Sequence, residues 1–256
     1  MLFGHDDKIK IFKKLVSENN LGHAYLFFGD AEIGKCLFAK HFAYFLESDK
    51  FEIGETPLID TQFLRANEKG VIGIDEIRNL KRFLWQTPLR SKKRMAIIDE
   101  AEKLTPEAQG ALLKIVEEPP SHALLIFIAA QTQMLFPPLL SRLVQIYFPR
   151  QSHSEIKEIL IKNFDVEPGK AEVIANESFG RLGRVLNNLA SQDRSARNSE
   201  IETILEEKIL ALAKKNILKN AKSLSRLLEK QALLKRYNLN PNLQAKAIEV
   251  LSHINE

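Results

Sequence analysis

Three stretches of the chain are apolar without interruption: AYLFF at 24–28, closed by Gly29; MAII at 95–98, closed by Asp99-Glu100; and ALLIFIAA at 123–130. Short runs with no polar alternation predict strands buried on both faces of a parallel sheet. Between them the apolar residues recur at helical spacing. AEIGKCLFAKHFAYFL (31–46) follows the first run, IDEIRNLKRFLWQ (74–86) is stopped by Pro88, and TPEAQGALLKIVEE (105–118) precedes the third run. The last of these carries its own punctuation, with Thr105 as N-cap, Pro106 at the first helical position and Pro119 as terminator. Strands alternating with helices predict an α/β fold, a parallel sheet with flanking crossover helices. Trp85, near the end of the middle helix, is expected in the core.

Beyond Pro149 the strand-like runs cease. Residues 151–190 read as helices interrupted at Pro168-Gly169 and around Gly180 and Gly183; helical spacing returns at 199–234 and again at 241–254. The expected division is an α/β domain at 1–149, a small helical domain at 150–197 and a short helical domain at 198–256.

With 256 residues, 45% hydrophobic and 27% charged, the chain can form one substantial core or divide it between modules. The net charge of +4 is too small to imply nucleic-acid binding by bulk attraction, so any such contact must come from a local patch. Cys36 is the single cysteine, which excludes an intrachain disulfide and a cysteine-based zinc site. No apolar run approaches the ~20 residues needed to span a bilayer, and the mixed N-terminus does not read as a signal peptide. A cytoplasmic protein is expected.

The candidate chemistry lies at Gly29–Cys36. GDAEIGKC matches G-x-x-x-x-G-K-[ST] except at its last position, and it joins a predicted strand to a predicted helix. In such a loop, backbone N–H groups cradle phosphates, Lys35 reaches the outer ones, and the final hydroxyl holds Mg²⁺. Cys36 lacks that hydroxyl, and a neutral thiol is a poor ligand for a hard, oxygen-preferring ion. The expectation is therefore a loop that binds ATP or ADP without turnover, or one retained only for its shape; a plain tight turn is the blander alternative. Asp99-Glu100, at the end of the second strand, has the placement of an acidic pair whose aspartate assists Mg²⁺ and whose glutamate polarises water.

These segments together resemble the clamp-loader branch of the AAA+ ATPases over residues 1–150. GHAYLFFGDAEIGK, GIDEIRNLKRFL, AIIDEAEKLTPEAQGALLKIVEEPP and PPLLSRL carry the likeness, LLKxxEEPP and Ser-Arg most specifically. A P-loop kinase or an initiator ATPase would not account for those two. The resemblance implies a P-loop AAA+ sheet, a helical lid and a helical collar-like region, here abbreviated. Delta prime and gamma or tau subunits share these signatures. Cys36, Ala130 at the expected sensor position and Gly183 in place of a sensor arginine favour delta prime; Arg181 and Arg184 beside it leave a displaced sensor open. Asp99-Glu100 favours a gamma/tau-type ATPase. The four-cysteine zinc module of many relatives is replaced by LESDKFEIGETPLID, so no zinc is expected.

The resemblance further implies that Arg142, in Ser141-Arg142-Leu143, reaches across a subunit interface to the ATP of a neighbour. A planar, permanently charged guanidinium suits that work, although the three residues alone fit an arginine paired with a local acid. Arg78, Lys81 and Arg82 lie three and four residues apart on one helix face, a candidate DNA-backbone stripe or simply a solvated face. Implied partners are gamma/tau and delta subunits, with the sliding clamp and primer-template DNA reached through the complex.

Overall fold

The computed structural model describes residues 2–189 and Ser225. The expected domain at 198–256, with its helices, therefore lies outside the described residues, Ser225 apart. Residues 1–185 form one compact unit, and a second begins at Leu186.

Five parallel strands form the sheet: β1 (Ala24–Phe28), β2 (Thr61–Leu64), β3 (Arg94–Ile98), β4 (Ala123–Ala129) and β5 (Val144–Tyr147), in the order β2-β3-β4-β1-β5. The three apolar runs became the three inner strands. β3 and β4 are buried at every position, as strands covered on both faces must be. β2 and β5 are the edges and were not legible in the sequence: TQFL is buried only at Leu64, and VQIY is exposed at three of its four residues.

Helices cover both faces. α1 (Asp6–Ser17) and α2 (Lys35–Ser48) lie on one side, α3 (Ile74–Leu84) and α4 (Pro106–Glu117) on the other. Successive strand residues feed opposite cores: Leu26 joins the cluster with Leu80, Leu112 and Phe127, while Tyr25 and Phe27 join Phe12, Phe38 and Phe42. Phe12 is the hub of the second cluster, with ring centroids 4.9–5.6 Å from Tyr25, Phe27, Phe38 and Phe42. Burying a side chain of that size is worth about 1.5–3 kcal/mol. α1 had no counterpart in the sequence reading, which saw only charges mixed with apolar residues.

α4 starts as its sequence predicts, with Thr105 Oγ1 accepting from the Ala108 N–H and Pro106 in the first turn. α3 ends at Leu84, short of Pro88, and Trp85 is its C-cap, 45% exposed rather than core. After a short α5 (Pro137–Leu140) and β5, helices α6 (His153–Phe164) and α7 (Pro168–Ser178) pack on one another, and residues 182–189 are again helical. Pro168 opens α7 at its first position, and Gly183 lies inside a helix rather than interrupting one.

Candidate nucleotide site

The carboxyl ends of β1 and β3 and the start of α2 bring the motif residues together. Gly29 leaves β1 with φ +136, and a Cβ there would lie 2.3 Å from the Phe148 carbonyl oxygen, so only glycine lets β1 turn beside the end of β5. Gly34, at φ +97, is the N-cap of α2. The first helical N–H bonded from this end is that of Phe38, to Gly34 O at 2.8 Å; the preceding N–H groups belong to the unpaired first turn that suits a phosphate.

Lys35 is 6% exposed, and its ammonium donates to the carbonyls of Gly29, at 2.5 Å, and Asp30. Burial lowers its pKa, opposed by the charges of Glu102, Asp30 and Asp99. Asp30 is held by Arg150, with Arg181 Nη2 at 3.7 Å, and the Arg150 pair keeps its carboxyl below the usual range. Gly183, just after Arg181, closes on the same loop. The Gly183 N–H donates to Glu32 O at 2.8 Å, and a Cβ at 183 would lie 2.5 Å from that oxygen. No side chain fits at 183, the position of the sensor arginine in the resemblance.

The acidic pair divides. Asp99 follows β3 directly, its Oδ2 3.4 Å from Arg65 Nε. Glu100 adopts a left-handed backbone (φ 54) and pairs with Lys103 at 2.8 Å, while Glu102 is the glutamate whose charge acts on Lys35. Glu102 Oε1 accepts from the Ala130 N–H at 3.3 Å, so Ala130 contributes its backbone at the end of β4. Arg65, immediately after β2, also donates from Nη2 to Cys36 Sγ at 3.8 Å. Burial first, and then Asp99, pushes the Cys36 thiol up, keeping it neutral.

That donor set does not fit Mg²⁺. The ion requires oxygen ligands in near-ideal octahedral geometry, whereas here a neutral thiol stands at 36 and a guanidinium meets both it and Asp99. Sequence reasoning missed Arg65 and Glu102. Glu102 had a signal in its nearness to Asp99; Arg65 had none, because β2 itself was not legible.

A family model described as DNA polymerase III, delta subunit, matches residues 4–152. The chain belongs to that family. The gamma/tau subunit of Mycoplasma pneumoniae is 28% identical over 228 residues, 82% of this chain and 32% of the relative. The delta prime subunit of Bacillus subtilis is 28% identical over 207 residues, 75% of this chain and 59% of the relative. The chain thus spans about a third of the gamma/tau relative and three-fifths of the delta prime relative. The Thermotoga maritima RuvB Holliday junction branch migration motor shares the fold, with TM-score 0.51 and 18% identity over 79% of this chain and 64% of that one.

The remaining candidates lie elsewhere on the clamp-loader subunit family's AAA+ fold. Arg142 Nη2 is 2.6 Å from Glu117 Oε1, and its Nη1 donates to Pro138 O at 2.7 Å, so the local acid foreseen as an alternative is present. On α3, Arg78 pairs with Asp75 at 2.8 Å, Arg82 donates to Asn79 at 2.9 Å, and Lys81 Nζ lies 5.0 Å from the Trp85 ring. The α3 cations thus sit on an exposed face with partners from their own helix. Among the described residues, no helix is long and apolar enough to cross a membrane.

Proposed function

We propose that the chain works as a delta prime-type subunit of the DNA polymerase III clamp loader, holding ATP or ADP without turnover and lending Arg142 to the ATP of a neighbouring subunit. The observation that carries this reading is the backbone contact of Gly183 with Glu32, which leaves no room for a side chain at the position of the sensor arginine, while the neighbouring Arg181 is turned to Asp30. Cys36 in place of a hydroxyl and Glu100 turned to Lys103 support it from the other side of the site. Gly29, Gly34 and Lys35 are assigned to the phosphates. Asp99 and Glu100, expected with Cys36 at the nucleotide, have no metal to serve in this reading.

Arg142 supports the trans role despite its bond to Glu117. Both side chains are about 40–45% exposed, and a pair so exposed is worth about 0–1 kcal/mol, so phosphate oxygens can outbid the carboxylate. The partners in this reading are gamma/tau and delta subunits, with the sliding clamp and primer-template DNA reached through the assembly.

A gamma/tau-type ATPase is the second reading, favoured by the retained Asp99-Glu100 pair and by the gamma/tau relatives. Two measurements separate them. The isolated chain should show no Mg²⁺-dependent single-turnover hydrolysis of ATP, and robust hydrolysis would establish the ATPase instead. In a reconstituted complex, Arg142→Ala should reduce turnover at the one site it serves by about 10³-fold while assembly is retained; an unchanged rate removes the trans role.

A further inference from the structure

We propose that Arg65 is a built-in cation standing between Cys36 and Asp99, where a P-loop protein with a hydroxyl at position 36 holds its divalent ion, so that this site meets phosphate without Mg²⁺. The inference rests on the nucleotide-site reading above and goes beyond it.

Its geometry comes from the sheet. Leu64 on β2 is in register with Ile98 on β3, and the Asp99 N–H donates to Leu64 O at 2.9 Å, so Arg65 and Asp99 leave adjacent parallel strands side by side. Cys36, in the first turn of α2, completes the group. Arg65 reaches Asp99 with Nε at 3.4 Å and Cys36 with Nη2 at 3.8 Å, one guanidinium spanning the two positions whose side chains hold Mg²⁺ in active P-loop proteins. The guanidinium is charged at every physiological pH and has five donors in a planar fork. The contact with Cys36 uses one of them and the ion pair with Asp99 lies along Nε, leaving donors for a phosphate oxygen. With the thiol neutral, the single positive charge of Arg65 offsets the single negative charge of Asp99, which would otherwise repel phosphate. A divalent ion entering there would meet the guanidinium charge and would find sulfur where it needs oxygen.

Equilibrium binding of ATP to the chain, measured with Mg²⁺ and with EDTA, tests the metal claim. Wild type should bind equally in both to within about twofold, and Arg65→Met/Cys36→Thr should gain at least about tenfold from Mg²⁺. Tenfold tighter binding by wild type with Mg²⁺, or no gain by the double variant, overturns the proposal.

Absence of ATP binding in every condition would overturn the nucleotide-site reading, and a second arm then decides Arg65 alone. Cys36 is the sole cysteine, so alkylation by iodoacetamide reports on one thiol. Losing a neighbouring cation must move its pH–rate profile to higher pH in Arg65→Met. A profile unchanged from wild type means that the guanidinium does not sit there, and the proposal fails.

Discussion

His5 is 2% exposed, its Nε2 lies 2.9 Å from the Ile33 carbonyl of the P-loop, and its Nδ1 is buried with no partner. A carbonyl only accepts, so Nε2 carries the proton; a second proton on Nδ1 would be buried with no acceptor, which favours the neutral ring. Burial lowers its pKa from 6.5, the Ile33 bond opposes, Lys8 lowers it further, and Asp7 and Asp6 pull the other way. The unfolded chain therefore takes up a proton near 6.5 that the native chain refuses until lower pH. Stability falls as pH drops through 6.5 towards the native pKa and levels below it. Urea midpoints between about pH 7.5 and 5.5 should show this decline, and His5→Gln should flatten it; an identical slope in the variant would assign the decline to another group. At this scale Gly29, Gly34, Lys35 and Cys36 were legible because one loop places them together. His5, Arg65 and Glu102 reach the loop from separate elements, and of the three only Glu102, close to Asp99, carries a local signal.

Between elements, the buried pair of Asp60 and Arg94 ties the entrance of β2 to that of β3. Asp60 is fully buried and Arg94 is 5% exposed, with 2.7 Å between them. The Asp60 carboxylate also accepts the N–H groups of Leu89, Arg90 and Ser91 at 2.6–2.8 Å, and those bonds, with the Arg94 charge, hold its pKa below the usual range against burial. Removing one partner leaves the other charge buried and the 89–91 turn without its acceptor. Asp60→Ala should cost about 3–5 kcal/mol in denaturant unfolding; a loss under about 1 kcal/mol would mean that water replaces the carboxylate freely. The inner strands and the cap of α4 could be read from sequence because both depend on local pattern. β2 and β5 could not, since an edge strand needs little apolar content and is recognised by its neighbour. Trp85 went the same way: an aromatic at the end of an amphipathic helix suits a core, but α3 stops one residue before it.

Across the molecule, the proposed function depends on surfaces that would face other chains. Lys81 and Arg82 lie on the exposed face of α3, in contact with Trp85 and Asn79. In a reconstituted clamp loader, replacing each by Ala should weaken DNA binding without regard to sequence and flatten the dependence of log K on log salt by about one per residue. An unchanged slope would make them a solvated face. The α/β class, the three inner strands, the P-loop and its missing hydroxyl can all be read from contiguous residues, because local periodicity or turn chemistry governs each. Tertiary structure alone decided what surrounds Cys36. The parallel register of β2 on β3 delivers Arg65 beside Asp99, and backbone contact lays Gly183 on Glu32. Both are juxtapositions of residues distant in the chain, fixed by strand pairing and backbone contact rather than by any spacing along it.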